Sequence, residues 1–187
     1  MSSLTPAPKT SPLILWGGTD IDPSIYGQKP LKWTDKPDII RDDVELYQID
    51  MAVTNKHPII GVCRGAQLLC AYNGGTLIQH SNIVRPKKGW AKLTTEDGEY
   101  EAPIDHHQIM VPEGNYILLA EEETQHVRWT SDTEHHTADY IPHVIFYPDT
   151  NSLAVQPHPE WDKYGSPFVA WLNTIIINHL GVKYNVF

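Results

Sequence analysis

Cys63 stands between two glycines, in Gly61-Val62-Cys63-Arg64-Gly65, and that spacing suits a nucleophile better than a structural thiol. Ile59, Ile60 and Val62 form a short apolar run of buried-strand type. Ala66-Gln67-Leu68-Leu69-Cys70-Ala71 then favours helix, with Asn73-Gly74-Gly75 as its stop. A cysteine at the tip of so sharp a strand-to-helix turn needs small residues two before and two after it, and Gly61 and Gly65 supply them. The helix start aims backbone N–H groups and a positive dipole end at the sulfur. That environment is expected to lower the thiol pKa below its free value of about 8.5. Cys70, on the inner face of the same helix, reads as a buried structural cysteine.

A cysteine nucleophile needs a base and a group that orients the base. Val155-Gln156-Pro157-His158-Pro159-Glu160 offers both, since Leu153-Ala154-Val155 reads as a strand and His158 follows its end. Loops at that end of parallel strands are where α/β proteins assemble sites. Glu160, two residues on, can accept a hydrogen bond from the imidazole. Cys63, His158 and Glu160 therefore form a candidate triad of nucleophile, base and orienter. Gln67 lies one helical turn after Cys63 and can face the same cleft. Gly17-Gly18 follows the strand-like Leu13-Ile14-Leu15, and residues without a Cβ let backbone approach a ligand closely. If His106-His107-Gln108 continues a strand, His106 and Gln108 share one face and His107 takes the other.

The elements around these residues predict an α/β fold: a mostly parallel central sheet flanked by helices, then an irregular β-rich second half. Residues 1–11 (MSSLTPAPKTS) read as a flexible tail and 12–187 as a single domain. A helix is expected within Pro37–Asn55, with Val44, Tyr47 and Met51, or else Leu46, Ile49 and Val53, as its inner stripe. Strands are expected at Leu13–Trp16, Thr76–Ile78, Tyr116–Leu119, Val127–Trp129 and His143–Tyr147. Ser166-Pro167 opens a last helix as N-cap and first residue, and Gly181 ends it. The polar segment Glu121–Tyr140 reads as a mobile flap or an exposed hairpin.

Composition excludes several classes. The formal net charge of −9 argues against a nucleic-acid partner, which would need a basic face. No apolar run reaches the roughly 20 residues of a membrane span. Two cysteines make no disulfide framework, and no secretory signal pattern opens the chain, so a cytoplasmic setting is expected. The ten histidines show no H-E-x-x-H spacing and no C-x-x-C accompanies them. Neither a metal nor a cofactor is expected.

Gly61-Val62-Cys63-Arg64-Gly65-Ala66-Gln67 and His158-Pro159-Glu160 resemble the triad motifs of the class I glutamine amidotransferases. More narrowly, the chain is similar to their γ-glutamyl hydrolase branch. The loop from Leu15-Trp16-Gly17-Gly18-Thr19-Asp20 to Tyr26-Gly27, the Arg41-Asp42 pair with Glu45, and His106-His107-Gln108 all match its pattern. The resemblance implies attack by Cys63 on a γ-carbonyl, a γ-glutamyl thioester, and hydrolysis assisted by His158. It assigns the oxyanion hole to the backbone N–H of Arg64 and one in Gly17-Gly18, and substrate binding to Gln67, His107 and Gln108. Asp20 and Tyr26 would hold the loop in shape. Trp16, Pro157 and Pro103-Ile104-Asp105 depart from the family pattern around the pocket. Family members carry two strand–helix units before the Gly-Gly loop, which this chain reaches at residue 17, so a sheet edge is expected to need cover. The implied substrate is a small γ-glutamyl amide or glutamine. In the second case ammonia would pass to a separate synthetase or ligase; a partner of that kind or a homodimer would cover the edge.

Overall fold

In chain order the strands are Leu13–Leu15 (β1), Ile59–Val62 (β2), Thr76–Ile78 (β3), Trp90–Thr95 (β4), Gly98–Pro103 (β5), Ile109–Val111 (β6), Ile117–Thr130 (β7), His135–Tyr147 (β8) and Ser152–Val155 (β9). The helices are Ile39–Thr54 (α1), Arg64–Tyr72 (α2) and Pro167–Leu180 (α3). The computed structural model describes residues 11–81, 89–130 and 135–187, and of 124–130 and 135–139 the backbone alone. The expected tail lies, but for its last residue, outside the described residues.

β1, β2 and β9 lie side by side in parallel, with Leu15 opposite Gly61 and Gly61 opposite Ala154. Their C-terminal ends therefore coincide. Trp16-Gly17-Gly18 leaves the first, Cys63 the second, and Gln156-Pro157-His158 the third. Three motifs far apart in sequence meet for that reason alone, at the edge where α/β sheets build sites. The fold is α/β as expected, with a mixed sheet in the order β1-β2-β9-β8-β7-β4-β5. Among the described residues parallel pairing is confined to the first three strands; β8, β7, β4 and β5 add on antiparallel. β3 and β6 make a separate two-stranded ladder.

Successive residues of β2 feed opposite cores, as a strand covered on both faces requires. Ile60 and Val62 pack with Phe168, Trp171, Leu172 and Ile176 of α3. Ile59 packs with Ile49 and Ala52 of α1 and with Ala66, Leu69 and Cys70 of α2. Ser166 caps α3 by accepting from the Val169 N–H, and Gly181 closes it in the left-handed conformation. Of the two stripes considered for α1, the Leu46-Ile49-Val53 side faces the core, whereas Val44, Tyr47 and Met51 are exposed. The reason is electrostatic: Asp42 and Glu45 turn inward to meet Arg64, and the apolar side next to them rotates outward. Glu121–Tyr140 forms much of the β7–β8 hairpin; its tip, residues 131–134, lies outside the described residues.

The elbow glycines are required by contact. A Cβ on Gly61 would overlap the backbone of Gly65 and Ala66, and one on Gly65 would overlap the backbone of Leu15. Backbone atoms on both sides cannot yield as a flexible side chain could. Gly65→Ala is therefore expected to lose at least about 1–3 kcal/mol of stability. Urea titration followed by tryptophan fluorescence reads the shift in midpoint.

Candidate active site

Cys63 sits at φ 51°, ψ −108°, a strained backbone for a side-chain-bearing residue, right at the start of α2. Its N–H donates to the Val155 carbonyl at 2.9 Å, which pins the turn to β9. Its thiol donates to the Asp105 carbonyl at 3.7 Å. Across from it, the His158 N–H donates to the Pro103 carbonyl at 2.8 Å, and its Nδ1 meets Glu160 Oε1 at 2.8 Å. Trp161 stacks flat on the imidazole, with ring centroids 3.6 Å apart. A Cβ on Gly17 would stand 3.1 Å from His158 Cε1, 3.5 Å from Cys63 Cβ and 3.9 Å from its Sγ. Thiol and imidazole thus approach one point from two sides, and only glycine leaves that point open.

Among the described residues, two cavities open on Cys63. One, of about 370 Å³, is lined by Trp16, Gly17, Gly18, Asp105, His158 and Trp161 among others. The other, of about 330 Å³, is lined by Gly18, Asp20, Asp35, Gln67, Asp105, His106 and His107. Cys63 and Gly18 line both, so the sulfur stands at the junction. Gln67 reaches the second cavity from α2, its amide 3.4 Å from Gln156 Oε1. Residues 104–108 form a loop before β6, so strand alternation does not apply and both His106 and His107 line the cavity. Gln108 is fully buried and lines neither.

The thiol is not activated in the way the helix start suggested. Burial pushes the Cys63 thiol up to about 12, and the Asp105, Glu160 and Asp20 carboxylates add to the rise. The Arg64 N–H directed at the sulfur opposes this without overcoming it. A single donor is outweighed by desolvation of the charge. The resting sulfur is therefore a thiol, and a base must take its proton as it attacks. Carboxamidomethylation of Cys63 by iodoacetamide is expected to quicken steadily from pH 7 to 10 with no plateau. A plateau reached near neutrality, read by peptide mapping against Cys70, would mean a resting ion pair with His158 instead.

On the far wall the sequence pointed to Asp20 and His107 but not to Asp35, His80 or Trp33. Asp20 accepts from the Asp35 N–H at 2.8 Å and contacts His107 Nε2 at 3.2 Å, and this hydrogen bond raises the pKa of His107. His107 also meets His80, whose ring stacks on Trp33. The loop carrying Trp33 is tied down by Gln79, which accepts from the Leu31 N–H and the Thr34 hydroxyl. Asp20, Asp35 and His107 place ligand atoms within 4.8 Å of one another, a spacing that could hold a cation.

Comparison with known proteins bears on this arrangement directly. Residues 7–139 match the family described as peptidase C26. The chain belongs to that family. The matched stretch includes Cys63 and ends before His158. The "Putative glutamine amidotransferase-like protein YvdE homolog" of Lactococcus lactis subsp. cremoris is 46% identical over 114 residues, which are 61% of this chain and 58% of the relative. The "Putative glutamine amidotransferase Rv2859c" of Mycobacterium tuberculosis is 30% identical over 167 residues, covering 79% of this chain and half of the relative. The chain thus spans about half the length of these curated relatives. Among solved structures, PurLQS from Thermotoga maritima superposes with a TM-score of 0.54 at 17% identity, covering 91% of this chain and all of that one. That likeness supports the α/β fold. Peptidase C26 membership places the chain in a glutamine amidotransferase-like family.

Proposed function

We propose that this peptidase C26 protein hydrolyses γ-glutamyl amide bonds through a thioester on Cys63, placing it in the γ-glutamyl hydrolase branch. The observation that carries the reading is the meeting of Cys63 and the His158–Glu160 pair around the gap left by Gly17. Cys63 Sγ attacks the γ-carbonyl carbon while its proton passes to His158 Nε2. The carbonyl oxygen takes the electron pair and is met by the Arg64 N–H and a glycine N–H of the Gly17-Gly18 loop. As the C–N bond breaks, His158 returns the proton to the departing amine. Water then attacks the thioester, gives a proton to His158, and releases glutamate and the free thiol. Glu160 holds Nδ1–H throughout and stabilises the imidazolium that forms twice per cycle.

The two cavities divide the substrate. His158 lines only the cavity that also contains Trp16 and Trp161, so the departing amine belongs there. The γ-glutamyl part takes the other, beside Gln67, His106 and His107. A departing-group cavity of about 370 Å³ walled by two indoles holds much more than ammonia. That favours larger amides over glutamine. Gln108, buried and with its carbonyl 2.7 Å from His106 Nδ1, would act by holding that ring.

The second reading, an ammonia-supplying subunit with a synthetase or ligase partner, draws on two features. β1 ends the sheet with a free edge among the described residues, and the outer face of α1 exposes Ile40, Val44, Tyr47 and Met51. A partner or a second copy would cover both. We take the chain from residue 12 onward to act as one domain in the cytoplasm; no helix among the described residues is long and apolar enough to cross a membrane.

Glutamate release from glutamine, γ-glutamyl amines and γ-glutamyl peptides tests the proposal. The protein alone is expected to turn over the amines and peptides faster than glutamine. Turnover of glutamine alone, and only with another protein added, would overturn the hydrolase reading in favour of the second.

A further inference from the structure

Arg41 is the second residue after the start of α1, and its guanidinium reaches across to the loop that follows β1. Nη2 donates to the Trp16 carbonyl at 2.8 Å, and Nη1 and Nη2 both donate to the Gly17 carbonyl at 3.2 Å. Nε donates to Glu45 Oε1 at 2.8 Å, which fixes the direction of the fork. The guanidinium lies so close over Gly18 that a Cβ there would overlap Nη1 and stand 3.4 Å from Cζ.

A trans peptide holds its C=O and N–H on opposite sides of one plane. Drawing the Trp16 and Gly17 carbonyls toward Arg41 therefore turns the N–H groups of Gly17 and Gly18 away from it. Neither N–H is given to a protein acceptor among the described residues. Gly18 lines both cavities with Cys63, and the missing Cβ of Gly17 faces Cys63 and His158. Arg41 lines neither cavity, so it reaches the chemistry only through this loop.

We propose that Arg41 is the positioning residue of the oxyanion hole: its clamp on two consecutive carbonyls aims the Gly18 N–H at the oxygen of the substrate's γ-carbonyl. The inference rests on the hydrolase reading above and adds to it the residue that sets the second donor. Three simultaneous acceptors are a task for a guanidinium fork, which lysine's single ammonium cannot reproduce. The same clamp polarises the peptide groups it holds, strengthening the N–H on the far side. The ammonium of a lysine would satisfy Glu45 or one carbonyl and leave the loop free to rotate.

The test compares Arg41→Lys and Arg41→Met with the unsubstituted protein, on the γ-glutamyl amine it turns over fastest. Loss of one aimed donor is expected to cut kcat about 10²–10³-fold in both variants, with KM changed less than about threefold. Binding of a γ-glutamyl aldehyde, which forms a tetrahedral hemithioacetal on the sulfur, should weaken in step with kcat. Alkylation of Cys63 by iodoacetamide should keep its rate, since that reaction makes no oxyanion. A loss that struck KM and alkylation as hard as kcat would show a general disturbance of the site and overturn the inference. So would a folded Arg41→Met variant with kcat within about threefold of the original. If Arg41→Met does not fold, Arg41→Lys, which keeps the charge beside Glu45, decides by the same criteria. Silence of the unsubstituted protein on every γ-glutamyl amide overturns the hydrolase reading itself, and the inference with it.

Discussion

Cys63→Ala is expected to abolish glutamate release while the protein keeps its fold. Alanine fits wherever the cysteine Cβ fits, and the thiol contributes one long hydrogen bond to the Asp105 carbonyl. No other described nucleophile shares the junction of the two cavities, because Cys70 lies fully buried on the far side of α2. Residual rate should fall to background, a loss of several orders of magnitude, with no acyl-enzyme visible by mass spectrometry. A rate within tenfold of the original would remove the cysteine mechanism. Backbone strain adds a second reading of the same position. At φ 51°, ψ −108° a side-chain-bearing residue is strained by about 1–3 kcal/mol, and glycine is not. Cys63→Gly is thus expected to be as inactive as Cys63→Ala and more stable than it, by about 1 kcal/mol in urea titration. Strain kept at a residue that cannot be relaxed without losing chemistry is what a nucleophile elbow entails.

How much of this the sequence disclosed depended on whether a local pattern or a distant partner decided the outcome. The elbow was legible because its requirement is local: a strand, two glycines and a helix start within a few residues of Cys63. α3 was legible from Ser166-Pro167, its apolar face and Gly181. The β4–β5 hairpin was missed although its signal was present, with Trp90–Thr95 alternating exposed and buried and Glu96-Asp97 turning the chain between Thr95 and Gly98. The expected lowering of the thiol pKa failed because a dipole can be read from sequence, whereas burial and three carboxylates from separate loops cannot. The facing of α1 was open for a related reason. Which stripe turned inward was decided by Arg64, a residue on another helix.

That arginine sets the last expected effect, on stability. Arg64 is wholly buried and pairs with Asp42 and Glu45, while Glu45 also binds Arg41 and Asp42 also accepts from the Asp22 N–H at 2.9 Å. Two guanidiniums and two carboxylates balance in charge, which is what makes so buried an arginine tolerable. Removing one partner leaves the others under-compensated. Asp42→Ala is expected to cost about 3–5 kcal/mol, because buried Arg64 and the Asp22 N–H both lose their acceptor. Asp42→Asn should cost less than half as much. Burial pushes the Asp42 carboxyl above its ordinary range, by more than Arg64 and the Asp22 N–H pull it back. Ionisation at that site therefore works against folding, and an amide that keeps the acceptor oxygen loses hydrogen-bond strength and charge pairing but escapes the desolvation. A carboxyl raised on folding binds its proton more tightly in the native state. The cost of its charge is thus present above its folded pKa and is relieved as pH falls through that value. The gap between Asp42→Asn and the unsubstituted protein should accordingly change between pH 7 and pH 4, whereas the gap between Asp42→Ala and Asp42→Asn should hold. Differential scanning calorimetry at the two pH values measures both gaps. Equal penalties for alanine and asparagine would mean that Asp42 acts by charge alone. Because Glu45 joins Arg64, at the first turn of α2, to Arg41, on the Gly17 carbonyl, the ion cluster that holds the fold together there also spans both donors proposed for the oxyanion.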